Sequence, residues 1–237
     1  MKNEVFNTDC MNYMRKCSDK QFNLAIVDPP YGNAGNETQF KSADKVRFGG
    51  RFDKYKTIER TGGAWAGKYK RKIIRWDKAP SKEYFAELFR VSKNQIIFGG
   101  NYFVLPPTRC FIIWEKLTIS EKFTMAMCEY AWTSFSDNAK IFKFKPQDKY
   151  RFHPTQKPVE LYKWILQNYA KKGDTILDTH LGSGSSRIAA YDMGFDFVGM
   201  EIDTEYFEMQ EKRFKEHQQQ LSLFEFAGGQ IQGNLAL

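Results

Sequence analysis

The chain has 237 residues, 42% of them hydrophobic, and carries 36 lysines and arginines against 28 acids, a formal net charge of +8. A length of this order supports one sizeable hydrophobic core, and no apolar run approaches the ~20 residues needed to span a bilayer. Cys10, Cys17, Cys110 and Cys128 make no Cys-x-x-Cys pair, and Met1 leads into polar residues, so a reduced cytoplasmic protein without a metal is expected.

In chain order, Asn3 to Thr8 alternates weakly and Leu24 to Val27 is a short β-rich run, so both read as strands, with Met11 to Lys16 helical between them. The second strand ends in Asp28-Pro29-Pro30-Tyr31. The exocyclic amine of a nucleobase is a poor nucleophile while its lone pair is delocalised into the ring. A carboxylate (Asp28) and a backbone carbonyl (Pro29) accepting its two N–H bonds favour a tetrahedral nitrogen, with the lone pair aimed at an electrophilic methyl group. Pro29 and Pro30 restrict the backbone so that these acceptors are held in place, and Tyr31 is suited to stack on the base. Taken alone, the tetrapeptide reads equally well as a turn that ends a strand.

Between Lys41 and Lys78 lie thirteen lysines and arginines and four acids, a net +9, so the rest of the chain is close to neutral. Phe48, Phe52, Tyr55, Trp65 and Tyr69 are interleaved with these charges among glycines, a mixture suited to phosphate contacts and base stacking. Residues 33–75 are therefore expected to form a DNA target-recognition insertion, helped by residues 140–151; a solvated surface loop is the plainer alternative.

Further on, Lys82 to Val91 reads as an amphipathic helix, Gln95 to Phe98 as a buried strand closed by Gly99-Gly100, and Phe111 to Trp114 as another strand. Glu129 to Phe135 is aromatic-rich and pairs with it, after a helix around residues 121–127. From Pro158 the pattern is helix to Tyr169, strand Thr175 to Leu177, a glycine turn, helix Ser185 to Met193, strand Phe195 to Met200 and a last helix from Glu205. Such alternation predicts an α/β protein built on a Rossmann-like, doubly wound, mostly parallel sheet with an antiparallel edge hairpin. Ligands bind these sheets beyond the carboxyl ends of the strands, where Asp28 and Asp178 both fall. One catalytic domain over residues 1–217 and a flexible tail over 218–237 are expected.

Asp178-Thr179-His180-Leu181-Gly182-Ser183-Gly184 leaves a strand and opens a helix, a turn that lets a ligand approach the backbone closely. It lacks the third glycine of a dinucleotide fingerprint and the Gly-Lys-Ser/Thr of a P-loop, so a nucleoside without a pyrophosphate fits better. Glu201, at the end of the following strand, is placed to accept hydrogen bonds from ribose hydroxyls.

Together, Asp28 to Tyr31, His153-Pro154-Thr155-Gln156-Lys157-Pro158 and Asp178 to Gly184 resemble the signature of amino-directed DNA methyltransferases that use S-adenosylmethionine. Their circularly permuted order, catalytic loop first and cofactor loop last, is that of the beta class. Asn7-Thr8-Asp9-Cys10 resembles the segment whose acid contacts the cofactor adenine, and Ile97 to Phe103 and Trp114-Glu115-Lys116 resemble core motifs. The resemblance implies the methyltransferase fold, with Asp28, Pro29, Pro30 and Tyr31 as catalytic residues. It implies a cofactor site made of Asp9, Cys10, His153, Thr155, Gln156, Lys157, Asp178, His180, Gly182, Ser183, Gly184 and Glu201, the His153 to Pro158 loop holding the methionine end. His180 departs from the pattern, which has Phe or another apolar residue there. Double-stranded DNA is the implied substrate, with adenine-N6 in a flipped-out base as the target. Cytosine-N4 is the alternative, followed by an RNA or protein-amide methyltransferase and by an inactive DNA-binding module. Relatives in that family include dimers, which leaves a homodimer open. Gln220-Leu221-Ser222-Leu223-Phe224 resembles the peptide that docks bacterial proteins on the sliding clamp; a helix end whose Leu and Phe cover the domain reads equally well.

Overall fold

The computed structural model describes residues 2–32, 78–121, 126–146 and 151–233, with side chains described through residue 220. Its layering follows from strands whose successive side chains feed opposite cores. In β2 (Phe22–Val27), Leu24 and Ile26 enter one hydrophobic cluster while Ala25 and Val27 enter another. A strand covered on both faces reads as a near-continuous apolar run, as this one does apart from Asn23.

The elements are β1 (Asn3–Asn7), α1 (Cys10–Met14), β2, α2 (Lys82–Val91), β3 (Ser92–Phe98), a 3₁₀ turn at Gly100–Tyr102, β4 (Phe111–Lys116), β5 (Cys128–Thr133) and β6 (Lys140–Phe144). They continue with α3 (Val159–Tyr169), β7 (Thr175–Asp178), α4 (Ser185–Asp192), β8 (Asp196–Glu201) and α5 (Thr204–Gly233). α2 turns Tyr84, Phe85, Leu88 and Val91 inward, spacing that makes one helical face, and packs with Met14 of α1 on one side of the sheet. α3 and α4 cover the other side through Leu161, Ile165, Leu166, Ala189 and Ala190.

The eight strands lie in the order β1-β8-β7-β2-β3-β5-β4-β6. β5 runs antiparallel to both its neighbours, and every other pairing is parallel. The doubly wound sheet and its antiparallel β4–β5 pair match expectation, but a further strand, β6, closes that edge.

Of the residues 140–151 expected to help in recognition, Lys140–Phe144 form β6, and residues 147–150 lie outside the described residues. Phe142 and Phe144 pack on the core, Lys143 pairs with Glu115 at 3.1 Å, and Lys140 lies 3.3 Å from Asp137 and over the Tyr169 ring. Lysines on an outer strand also keep other chains from pairing with it. The last helix runs through residue 218, where a tail was expected to begin. Residues 33–75, and positions 122–125 of the helix expected around 121–127, lie outside the described residues, as do the side chains of Leu221, Ser222, Leu223 and Phe224 in the clamp-like peptide. Among the described residues no helix is long and apolar enough to cross a membrane, and no group of acids, histidines and cysteines could hold a metal ion.

Candidate active site

β2 and β7 are neighbours, so Asp28, just past β2, and Asp178, the last residue of β7, open on the same edge of the sheet. β2 is also where strand order reverses, with β7, β8 and β1 on one side and β3 on the other. A crevice forms at such a switch point because connections depart to opposite faces. Here it holds a cavity of about 450 Å³, walled by residues 8–10, the Asp28 loop, the His153–Lys157 loop, the 179–183 turn and residues 201–203.

At one end the walls are built by carboxylates that organise turns. Glu201 accepts the Gly182 N–H at 2.8 Å on Oε2 and the Asp203 N–H at 2.9 Å on Oε1, tying two turns together. Each of its oxygens keeps a second lone pair for a ligand hydroxyl. Gly182 has φ +52°, and a Cβ there would come 3.3 Å from the His153 ring, so the absent side chain keeps this wall open. Asp9 caps α1, accepting the N–H groups of Met11 and Asn12 at 2.8 and 3.1 Å. Burial lowers His180 to about 4, and burial with Lys157 nearby lowers His153 to about 3, so both rings are neutral at pH 7. Burial pushes the Cys10 thiol up to about 12. Asp9, Glu201 and Asp203 bring three carboxylates to the cavity wall, which Lys78 also lines, a predominantly acidic surface suited to a ligand that carries positive charge.

At the other end Asp28 accepts the Tyr31 hydroxyl at 2.6 Å on Oδ1 and the Lys157 ammonium on Oδ2. Lys157 also lies 3.2 Å from Glu129 of β5, whose other oxygen is 2.7 Å from Lys116 of β4. Burial and the Glu129 charge push the Asp28 carboxyl up, while Lys157 pulls it down. Burial would also raise Glu129, but Lys157 and Lys116 together hold it below its ordinary value. The Tyr31 ring stacks on Tyr102 at 4.9 Å and meets Phe103 edge-on. Burial and Asp28 raise its hydroxyl well above the usual range, so Tyr31 is a phenol that donates to Asp28.

Of the residues expected at the site, Asp28, Pro30, Asp9, Cys10, His153, Thr155, Gln156, Lys157, His180, Gly182, Ser183 and Glu201 border this one cavity. Pro29, Tyr31, Asp178 and Gly184 do not line it. Asp178 turns into its own loop, accepting the Ser186 hydroxyl at 2.5 Å and the His180 N–H at 3.0 Å; burial pushes it up to about 7. Gly184, at φ +72°, caps α4 with Gln210 against it. Lys157 borders the cavity with its ammonium directed at Asp28 and Glu129. Glu129 and Lys116 back the cavity through Lys157; the sequence pattern marks Lys116 only as part of the Trp114-Glu115-Lys116 segment and does not single out Glu129. A glutamate inside an aromatic strand and a lysine closing an apolar one are the available signals.

The fold is an α/β fold shared with solved methyltransferases. It superposes on the crystal structure of the M1.HpyAVI–SAM complex with a TM-score of 0.52 at 18% identity, covering 89% of this chain and 98% of that one. On the cytosine-N4-specific PvuII DNA methyltransferase the TM-score is 0.53 at 11% identity, covering 90% and 86%. The sequence model of the N6/N4 DNA methylase family matches residues 53–212, more than half of the chain, and the chain belongs to that family. The type II methyltransferase M2.MboI of Moraxella bovis is 22% identical over 249 residues, 90% of this chain and 87% of that protein. The DNA adenine methyltransferase YhdJ of Escherichia coli (strain K12) is 42% identical over 62 residues, 26% of this chain and 21% of that protein. The family match begins after Tyr31, so the Asp28 loop is read from its own geometry.

Proposed function

We propose that this chain is a site-specific DNA adenine methyltransferase that uses S-adenosylmethionine and transfers the methyl group to N6 of a flipped-out adenine. The observation that carries the reading is the placement of Asp28, backed by Lys157, on the wall of the same cavity whose far end is built from Glu201, Gly182 and Asp9. One cavity thereby offers a seat for a nucleoside and an acceptor for an amine.

The residues fit the cofactor. S-adenosylmethionine supplies an electrophilic methyl group on a sulfonium, and the acidic lining with two neutral histidines suits that charge. Asp9 and Glu201 would hold its adenosine part, and Gly182 and Ser183 would let it approach the backbone. Asp28 and the Pro29 carbonyl orient the amine, and their work is positioning and electrostatics. Adenine is favoured over cytosine by the aspartate that heads the loop and by the adenine specificity named for YhdJ. Target recognition is assigned to the basic residues 33–75.

Asp28→Ala tests the reading. Turnover on duplex DNA should fall by at least about a hundredfold, the scale of losing a preorganised polar contact to the reacting group. Cofactor affinity measured by calorimetry should change little. Substantial residual turnover would remove Asp28 from the reaction.

A further inference from the structure

Asp28, Lys157, Glu129 and Lys116 form a row of alternating charges that cancel in total and come from four separate elements. Lys157 touches the carboxylates on either side of it, and Lys116 takes the remaining Glu129 oxygen at 2.7 Å. The side chains are 13%, 3%, 27% and 7% exposed in that order, so the row is largely withdrawn from water. Removing one member of such a row leaves a neighbour uncompensated. The Lys157 ammonium also lies 4.6 Å from the centre of the Phe98 ring, so its contacts are with carboxylates and a ring face.

An amine arriving at Asp28 must find an oxygen lone pair, and Lys157 holds one of those oxygens. We propose that Glu129, anchored by Lys116, is a positioning residue for methyl transfer: it takes a share of the Lys157 ammonium and so keeps Asp28 from being locked to the lysine. The inference rests on Asp28 being the acceptor of the amine. Without the Glu129 charge, two cations face one anion, and Lys157 belongs to Asp28 alone. Without the Lys116 charge, Glu129 draws Lys157 away from Asp28. The other groups facing Asp28 are Tyr31 on its own loop, Tyr84 on α2, Tyr162 on α3 and Asp178 on β7. All four stay in place in either variant.

The test uses Glu129→Gln and Lys116→Gln in the full chain, each checked for folding by circular dichroism. Carboxyl-labelled aspartate is titrated by ¹³C NMR, with Asp28→Asn identifying the resonance. The Asp28 midpoint moves down by about one pH unit or more in Glu129→Gln, as loss of a nearby negative charge requires, and up in Lys116→Gln. The acid limb of the kcat profile follows in the same two directions. In Glu129→Gln, kcat at neutral pH falls roughly tenfold or more, the scale of a misplaced reacting group, while KM for the cofactor holds. An Asp28 midpoint that stays put in the folded variants overturns the proposal, as does a midpoint that moves while the acid limb does not. If one variant fails to fold, the other decides the matter through its own direction of shift. Failure of the Asp28 reading itself shows separately, as turnover by Asp28→Ala, because the NMR midpoint needs no substrate.

Discussion

Gly99 holds the catalytic loop in place from behind, and replacing it with alanine should show by how much. It precedes the 3₁₀ turn at φ +66°, and a Cβ there would stand 2.2 Å from Cε1 and 2.5 Å from Cζ of Tyr31. The ring cannot slide aside freely, because it stacks on Tyr102 and its hydroxyl is bonded to Asp28. Forcing alanine into the left-handed region costs roughly 1–2 kcal/mol. Displacing a packed ring adds about 1–3 kcal/mol, for a total of about 2–5 kcal/mol. Gly194 is the control: at φ +75° an added Cβ would meet nothing within 4 Å, so Gly194→Ala should lose only the roughly 1–2 kcal/mol backbone part. Urea denaturation of Gly99→Ala, Gly194→Ala, Tyr31→Ala and the Gly99→Ala/Tyr31→Ala pair measures the coupling directly. The packing part of the Gly99→Ala cost should vanish when Tyr31 is already alanine, and Gly99→Ala should also lose turnover through the displaced Tyr31 hydroxyl. Equal costs at Gly99 and Gly194, or a Gly99→Ala cost unchanged in the Tyr31→Ala background, would refute the reasoning.

Glu201→Gln should weaken cofactor binding about tenfold to a hundredfold by calorimetry, the worth of hydrogen bonds to a charged acceptor, with a smaller effect on kcat. Asp178, raised to about 7 by burial, binds its proton more tightly when folded than when unfolded. Its contribution to stability is therefore full below about pH 4 and is lost as pH rises through 7. Asp178→Asn should flatten that fall in denaturation midpoints measured from pH 4 to 8; an unchanged pH slope would count against the assigned ionisation.

The sequence made the parts legible where local pattern and burial agree. α2 begins at Lys82 and ends at Val91 as its amphipathic spacing requires, and Asp28 and Asp178 fall at the ends of adjacent parallel strands. β6 was hidden because Lys140 and Lys143 make it look like a basic surface, and only Glu115, Asp137 and the Tyr169 ring show what pairs with them. The turn of Asp178 into its own loop was equally invisible, since a strand-end acid looks the same whether it faces a ligand or its own backbone. The Lys116–Glu129–Lys157 row spans β4, β5 and the loop before α3, and charge partners that distant leave no spacing to read.

The most direct test is the modified base itself. Duplex DNA incubated with the chain and S-adenosylmethionine, then digested to nucleosides and resolved by mass spectrometry, should contain N6-methyladenine, and DNA treated with Asp28→Ala should contain none above background. Methyl groups found on cytosine-N4, or no methylated nucleoside at all from the folded, cofactor-binding protein, would contradict the account.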